Sequence, residues 1–200
     1  MMKHLFTAAA ASLTAISLAF AAPIIGKPAP QFTATDSNGK SHALADFKGK
    51  TVVLEWTNDG CPYVKKHYGS GNMQKLQQEV KAAGGVWLSI ISSAPGKQGY
   101  VQGAGANQLT TSRSANPTAV LLDPAGAVGR AYEAQTTPHM FVIDPAGTLR
   151  YMGAIDDQPS TDVATIATAR NYLREAFKAV SSGGKVTETA TDPYGCSVKY

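Results

Sequence analysis

The stretch TVVLEWTNDGCPYVKKH, residues 51–67, decides the fold because it joins an apolar run to a cysteine and then to the start of a helix. Residues 52–56 are mostly apolar and rich in β-branched side chains, which predicts a buried strand. Residues 58–60, Asn-Asp-Gly, break that strand. Pro62 favours the first position of a helix, where its missing N–H leaves no hydrogen bond unmade. The sequence therefore predicts Cys61 at a helix N-cap.

A cysteine at this place has two interpretations. Free backbone N–H groups and the positive end of the helix dipole stabilise a thiolate, which is the reactive form. Lys65, one turn further on, acts in the same direction, whereas the carboxylate of Asp59 opposes it if it points inward. The alternative is a small, inert cysteine buried at the end of a strand. The strand, turn, Cys-Pro and helix arrangement favours a reactive Cys61.

Length and composition indicate an ordinary globular protein. The chain has 200 residues, 44% of them hydrophobic and 16% charged, which suits one domain with a real core. The formal net charge of +4 is small and not clustered, so it gives no reason to expect a nucleic-acid partner. Two cysteines are too few for a disulfide scaffold but enough for one bridge or one redox pair.

Residues 1–21 have the pattern of a secretory signal peptide: a basic start with Lys3, an apolar run over residues 5–20 and a small-x-small site that predicts cleavage after Ala21. A membrane anchor is the alternative, but the run is short for a span and prolines follow it. After cleavage we expect no stable membrane span. The predicted location is across the inner membrane, in the periplasm or outside the cell, where a disulfide persists.

The rest of the chain alternates between strand and helix patterns, which implies an α/β layered fold. The turn at residues 36–39 predicts an N-terminal hairpin, and Gly69-Ser70-Gly71 interrupts the helix after Cys61. Residues 94–117 predict a loop with one short helix that serves as a lid, a partner surface or a solvated excursion. The predicted strands are 31–35, 41–44, 52–56, 86–91, 119–122, 140–143 and 149–152; further helices are predicted over 72–83, capped by Asn72, over 128–134, and from Asp162 to Val180.

Three segments together resemble a known superfamily: WTNDGCPYVKKHYGSGNMQKLQ, TTPHMFVIDPAGTLRYMGAIDD and PYGCSVKY. They resemble the thioredoxin superfamily, and within it a peroxiredoxin-like (AhpC/TSA, redoxin-domain) subgroup of secreted proteins. The resemblance covers roughly residues 23–200. It implies a thioredoxin-like α/β fold with a central mixed sheet flanked by helices, an N-terminal β-hairpin and an inserted loop or helix. Residues 22–200 then form a single domain whose C-terminal tail carries Cys196.

The resemblance also implies roles for individual residues. Cys61 occupies the place of the nucleophilic cysteine, and Val64 stands where many thioredoxins have a second cysteine. Pro138 occupies the place of the cis-proline beside the active site, and the backbone of Thr137 would be available to pair with a substrate. Peroxiredoxins place a threonine three residues before the peroxide-reactive cysteine, but this chain has Asn58, which counts against efficient peroxide reduction.

Three further residues complete the predicted site. Arg150 resembles one of the arginines that lie near the peroxide in peroxiredoxins; the alternative is an ordinary surface or salt-bridged arginine. Lys65 and Arg150 would polarise a peroxide together with backbone N–H groups. Cys196 is the second cysteine, about where a resolving cysteine approaches.

These residues leave three functions open. The first is a thiol peroxidase, an antioxidant in which a hydroperoxide oxidises Cys61 to a sulfenic acid and Cys196, from the same chain or a second copy in a homodimer, condenses with it. The second is a periplasmic thiol–disulfide oxidoreductase, in which Cys61 attacks a protein disulfide and Cys196 resolves the mixed disulfide. Both need an external thiol as electron donor. The third is a non-enzymatic binding module with a structural Cys61–Cys196 bridge.

The sequence predicts no cofactor and no metal. Cys61 with His67 or His139 would give one sulfur and no second close ligand, whereas structural zinc usually takes four. His139, directly after Pro138, is expected to line the active-site groove or to be solvated.

Overall fold

A seven-stranded mixed sheet forms the centre of the protein in the computed structural model, which describes residues 22–200. The predicted signal peptide, residues 1–21, lies outside the described residues. The strands are β1 (Thr33–Asp36), β2 (Ser41–Ala43), β3 (Val52–Trp56), β4 (Val86–Ile91), β5 (Ala119–Leu122), β6 (Thr136–Thr137), β7 (His139–Ile143), β8 (Leu149–Gly153) and β9 (Cys196–Ser197). The sheet order is β2-β1-β5-β4-β3-β7-β8, and β6 pairs separately with β9.

The middle of the sheet is parallel and its edges are antiparallel. Strands β3, β4 and β5 run parallel, while β1 pairs antiparallel with β2 and β5, and β7 with β3 and β8. The hairpin of β1 and β2 is the one that the turn at residues 36–39 predicts. All five residues of β3 and all six of β4 are buried, because apolar layers cover both faces of these central strands.

Alternate residues of the central strands enter two different cores. Leu54 and Trp56 of β3 pack with Phe141 of β7 and with Tyr132, which follows the helix Ala127–Ala131. Val53 packs on the other face with the helices that follow Cys61 and with the last helix of the domain. The helices are α1 (Pro62–Gly69), α2 (Asn72–Ala82), α3 (Gly103–Ser112), α4 (Ala127–Ala131) and α5 (Tyr172–Ser181).

The start of α1 is as predicted, with Cys61 at the N-cap and Pro62 at the first position. The break after Gly69 is also confirmed, but its details differ from the expectation. Gly71, not Asn72, is the N-cap of α2, and its φ of +76° belongs to the left-handed region that glycine adopts without strain. Helix α4 ends at Ala131, three residues earlier than predicted.

The prediction of one long final helix from Asp162 is wrong. Asp162 accepts a hydrogen bond from the N–H of Ala164 and starts only a short 3-10 segment, Val163–Ala167. Asn171 then caps a new helix, α5, by accepting from the N–H of Arg174 at 2.8 Å. Each capping side chain satisfies the free N–H groups of its own turn, so the chain forms two helical starts instead of one.

Residues 94–117 carry one short helix, α3, as predicted. Ala106 of α3 is buried against Ile91 and Val120, so the segment is packed on the sheet and is not a solvated excursion. Within residues 22–200, none of the helices has both the length and the apolar character needed to cross a membrane.

Candidate active site

Cys61 lies just beyond the carboxyl end of β3, at the N-terminus of α1. Its Sγ donates a hydrogen bond to the backbone oxygen of Thr137 at 3.0 Å, and its side chain is 0% exposed. The Thr137–Pro138 peptide bond is cis, as the resemblance implies. The strand–turn–helix arrangement thus brings Cys61 against the residue that precedes the cis-proline.

Cys196 reaches the same place from the other end of the chain. Strand β9 pairs antiparallel with β6, so that Cys196 lies opposite Thr137 and Ser197 opposite Thr136. Both cysteines are free thiols, and both lie against Thr137: Cys196 is its strand partner and Cys61 Sγ bonds to its backbone oxygen. The structure therefore brings together the two cysteines that the sequence could only propose as a pair.

The two thiols differ in acidity. Burial raises the pKa of Cys61, but hydrogen bonds from the Cys196 thiol and from the backbone N–H groups of Val64 and Cys196 outweigh it and hold that pKa below its ordinary value. Burial, together with the hydrogen bond to Cys61 and the charge of its thiolate, raises the pKa of Cys196 to about 11. Of the two thiols, Cys61 is therefore the more acidic.

The loop before Cys61 is held by the inserted segment. Asn58 accepts a hydrogen bond from the N–H of Gly60 at 2.9 Å and donates to the carbonyl of Gln98 at 3.2 Å. Asp59 forms an ion pair with Arg113, which also stacks over the ring of Tyr68 with its guanidinium carbon 4.8 Å from the ring centre. Asp59 thus points toward Arg113, and residues 94–117 act as a support for the Cys61 loop.

Tyr194, two residues before Cys196, anchors the tail (residues 191–200) to α1. Its hydroxyl donates to Asp156 Oδ1 and lies 3.2 Å from Nε2 of the fully buried His67. The Nδ1 atom of His67 lies 2.9 Å from the side-chain amide nitrogen of Asn72 and accepts a hydrogen bond from it. In the neutral ring the hydrogen is therefore on Nε2, which donates to the Tyr194 hydroxyl. Burial lowers the pKa of His67 to about 4, which keeps the ring neutral.

The tail is also fastened beyond Cys196. The N–H of Val198 donates to the carbonyl of Gln135 at 3.0 Å, and the Tyr200 hydroxyl donates to the carbonyl of Ala134 at 2.9 Å. The guanidinium carbon of Arg130 lies 4.7 Å from the centre of the Tyr200 ring. The tail therefore crosses the site from α1 to α4, and its Tyr194 and Cys196 pack against the buried cluster that contains Cys61.

One expectation for Thr137 is not met. The resemblance implies a Thr137 backbone that is available to a substrate, but in the structure it pairs with Cys196 of the same chain. Gly195 allows this close approach: its φ is +144°, and a Cβ there would overlap the carbonyl oxygen of Thr137. Only glycine fits between Tyr194 and Cys196 in this geometry.

The structure does not bring Arg150 to the site. In β8, its neighbour Leu149 pairs with Ile143, which in turn pairs with Val52 at the start of β3, whereas Cys61 follows the end of β3. Arg150 forms a salt bridge of 2.6 Å with Asp144 instead. The expectation that it lies near a bound peroxide is therefore wrong, and the salt-bridged alternative describes it.

Lys65 also makes no side-chain hydrogen bond with Cys61. Its side chain is exposed, and only its backbone N–H bonds to the carbonyl of Cys61, at 2.9 Å. The neighbouring Lys66 is the buried lysine; its Nζ donates to the carbonyl of Gln158 at 3.0 Å. The positive environment of Cys61 therefore comes from the helix N-terminus and not from a lysine ammonium group.

Sequence reasoning missed the residues that position the tail. The buried His67 and Asp156 form a polar cluster with the half-buried Tyr194, and nothing in the local sequence shows that the three meet. A partial clue existed: Gly195 directly before the second cysteine indicates a position where the backbone approaches another segment closely. His139 is buried, so the expectation of a solvated ring is wrong, and its Nδ1 accepts from the N–H of Gln135 at 3.2 Å.

Glu55 is a second buried polar group that the sequence did not single out. It lies in the middle of β3 and accepts hydrogen bonds from Tyr68, from Trp87 Nε1 at 2.8 Å and from Ser89 at 2.8 Å. Burial raises its pKa despite these bonds. Among residues 22–200, no three His, Cys, Asp or Glu side chains lie close enough together to hold a metal ion.

Comparison with known proteins gives the family. The sequence model of the AhpC/TSA family matches residues 25–152, which include Cys61 and the cis-proline loop. The chain belongs to the AhpC/TSA family. Thiol-disulfide oxidoreductase ResA of Bacillus subtilis (strain 168) is 28% identical to this AhpC/TSA chain over 122 residues, which are 61% of this chain and 63% of that protein. The match thus spans less than two thirds of that curated relative.

Solved structures show that the fold is thioredoxin-like. Hypothetical protein SMc02350 from Sinorhizobium meliloti 1021 has a TM-score of 0.75 at 23% identity over 88% of this chain and 94% of that one. An uncharacterized conserved protein from Geobacillus kaustophilus has a TM-score of 0.74 at 24% identity, over 88% of this chain and 92% of that one. The thioredoxin domain of thiol-disulfide oxidoreductase BVU-2223 from Bacteroides vulgatus has a TM-score of 0.52 at 21% identity, over 72% of this chain and 96% of that one. The predicted superfamily and fold class are therefore confirmed.

Proposed function

We propose that this AhpC/TSA protein is a thiol–disulfide oxidoreductase whose redox pair is Cys61 and Cys196. The observation that carries the proposal is the pairing of β6 with β9, which sets Cys196 opposite Thr137 while Cys61 bonds to the same Thr137. The name of the Bacillus subtilis relative, thiol-disulfide oxidoreductase ResA, supports the same chemistry.

The reaction proceeds in two exchanges. The Cys61 thiolate attacks one sulfur of a substrate disulfide, a Cys61–substrate disulfide forms, and the other substrate sulfur leaves as a thiolate. The thiolate of Cys196 then attacks Cys61 Sγ, which forms the Cys61–Cys196 disulfide and releases the second substrate thiol. In the mixed disulfide Cys61 carries no charge, so one cause of the high pKa of Cys196 disappears when Cys196 must ionise. An external thiol donor restores both thiols.

A thiol peroxidase is the second candidate. The burial of Cys61 favours it, because a hydroperoxide is smaller than a protein disulfide and enters beneath the tail more easily. Cys61 would attack the peroxide and become a sulfenic acid with release of an alcohol or water, and condensation with Cys196 would give the same disulfide and water. Asn58 in place of a threonine and the position of Arg150 count against this candidate.

The experiment starts from the reduced protein and adds one equivalent of either a small disulfide or hydrogen peroxide. We expect both thiols to disappear with a mass loss of two hydrogens, faster with the disulfide than with peroxide. Cys61→Ser should abolish the reaction, and Cys196→Ser should stop it at a mixed disulfide. Faster oxidation by peroxide would favour the peroxidase, and unchanged thiol loss in Cys61→Ser would contradict both functions.

We also propose that residues 1–21 direct secretion and that residues 22–200 act as one domain in the periplasm or outside the cell. A redox pair that cycles through a disulfide suits that oxidising environment. The mature N-terminus, determined by mass spectrometry on protein from the periplasmic fraction, tests this directly: a chain that still begins at Met1 would contradict it.

A further inference from the structure

A cavity of about 370 Å³ lies beside the cis-proline loop and has no role in the proposed function. It is bounded by the segment after α4, by His139 at the start of β7 and by residues 190–193, where the tail begins. His139 packs against Phe141 of one core, with ring centres 4.5 Å apart, whereas Cys61 belongs to the other core. The cavity is therefore separate from Cys61, and its volume falls in the range of small-molecule sites, roughly 300–1,000 Å³.

His139 gives the cavity a buried hydrogen-bond donor. The residue is 4% exposed, and its Nδ1 accepts from the backbone N–H of Gln135. Burial lowers the pKa of His139 to about 4, so the ring is neutral near neutral pH and carries its hydrogen on Nε2. Within residues 22–200 this Nε2 bonds to no protein group, although a buried donor without a partner is costly. The Nε2–H is therefore left for a molecule in the cavity.

Two carboxylates make the cavity negative. Glu133 and Asp192 both line it, and within the part of the chain that the structure describes neither forms a salt bridge. No lysine or arginine is among the described residues that line it. Charges of one sign around a cleft attract ligands of the opposite sign. Met152 and Tyr132 add apolar surface to the same cavity.

We propose that this cavity binds a small organic ammonium compound that also carries a hydrogen-bond acceptor, such as an amino alcohol. The ammonium group pairs with Glu133 and Asp192, the carbon chain packs on Met152 and Tyr132, and the acceptor takes the hydrogen of His139 Nε2. An anion is repelled by both carboxylates. A plain alkylamine leaves the His139 donor unpaired, and a neutral alcohol leaves the carboxylates unpaired, so each binds more weakly.

The test is a titration of the reduced protein, near neutral pH, with three compounds of equal size. Aminopentanol carries an ammonium group and a hydroxyl, hexylamine carries only the ammonium group, and hexanol carries only the hydroxyl. Nitrogen–proton correlation NMR of the histidine rings follows Nε2 of His139 directly. The variant His139→Gln identifies the signals of this ring among those of the other histidines.

We expect aminopentanol to shift the His139 Nε2 signal and to bind about tenfold more tightly than hexylamine or hexanol. The double variant Glu133→Gln, Asp192→Asn should weaken binding of aminopentanol about fivefold, because it removes two partly solvated ion pairs, and should leave binding of hexanol unchanged. Glu188→Gln is the matched control: Glu188 is an exposed carboxylate that precedes the tail but does not line the cavity, so its loss should change nothing.

Three results would overturn the proposal: no shift of the His139 signal with aminopentanol, equal affinities for aminopentanol and hexanol, or unchanged affinity for aminopentanol in the double variant. The comparison of the three compounds uses one protein throughout, so it does not depend on whether the variants fold. The titration involves no thiol chemistry, so its failure would leave the proposed function intact, and a failure of the proposed function would leave this site intact.

Discussion

The Cys61 thiol donates to the backbone oxygen of Thr137 at 3.0 Å, and Thr137 is in turn the strand partner of Cys196. One backbone residue thus aligns two cysteines that lie far apart in the sequence. The local two-cysteine motif of many thioredoxins is missing here because Val64 replaces the second cysteine. The tail supplies the second thiol from a distance, so the chemistry of the pair depends on how the tail is docked.

The acidity of Cys61 should depend on the hydrogen bond from Cys196. In Cys196→Ala the thiolate of Cys61 loses that donor, so we expect the pKa of Cys61 to rise; in Cys196→Ser a hydroxyl keeps a donor, and the rise should be smaller. The pH dependence of alkylation by iodoacetamide measures this pKa. A pKa in both variants equal to that of the parent protein would show that the Cys196 side chain does not set the acidity of Cys61.

Gly195→Ala should impair closure of the Cys61–Cys196 disulfide. The new Cβ would overlap the Thr137 carbonyl, and the φ of +144° strains any residue with a side chain. We expect the mixed disulfide with a small disulfide reagent to persist at least about tenfold longer than in the parent protein. Mass spectrometry of acid-quenched samples follows its decay.

Gly147→Ala provides the matched control for that experiment. Gly147 also has a left-handed φ, +88°, but no atom lies within 4 Å of the position of a Cβ, and it belongs to the turn between β7 and β8. Both variants therefore carry backbone strain, and only one disturbs the tail. If both slow closure to the same degree, general destabilisation and not tail docking is the cause.

The parts of the site that depend on local patterns could be predicted from the sequence. The apolar run of β3, the Asn-Asp-Gly break and Pro62 fix the position of Cys61, because each effect acts within a few residues. The hairpin of β1 and β2 was predictable for the same reason. The final helix was not, because the apolar spacing after Asp162 suggests one continuous helix, whereas Asn171 caps a second, separate helix.

The docking of the tail could not be predicted, because it depends on contacts between distant segments. Tyr194 meets Asp156 and His67 only after the sheet, α1 and the chain after β8 are assembled. The prediction that Arg150 lies near the site was wrong for a related reason. The resemblance supplies a residue type and a strand, whereas the register of β8 decides which end of the sheet the side chain reaches.

Arg150→Met should leave the reactivity of Cys61 unchanged. The guanidinium pairs with Asp144 at an exposed edge, and such surface salt bridges contribute only about 0–1 kcal/mol to stability. Rates of thiol loss with hydrogen peroxide and with a small disulfide, measured by stopped flow, should match the parent protein. A tenfold fall with peroxide alone would place Arg150 in the reaction after all and revive the peroxidase.

Acid should destabilise the fold through two buried histidines. Burial lowers the pKa of His67 and of His139 to about 4, whereas in the unfolded chain both titrate at about pH 6.5. As the pH falls below the unfolded-state pKa, the unfolded chain binds protons that the folded protein does not bind, so the free energy of unfolding falls. From pH 7 to pH 5 the loss is about 2 kcal/mol for each histidine.

Urea denaturation at pH 7 and pH 5 measures this loss, and the variants His67→Gln and His139→Gln identify its source. Each variant should reduce the difference between the two pH values by about 2 kcal/mol, whatever its stability at pH 7. Glu55 acts in the opposite direction, since burial raises its pKa and the folded state takes up its proton first. A pH difference that is unchanged in both histidine variants would mean that both rings reach solvent and protonate without unfolding, as they would if the tail opened.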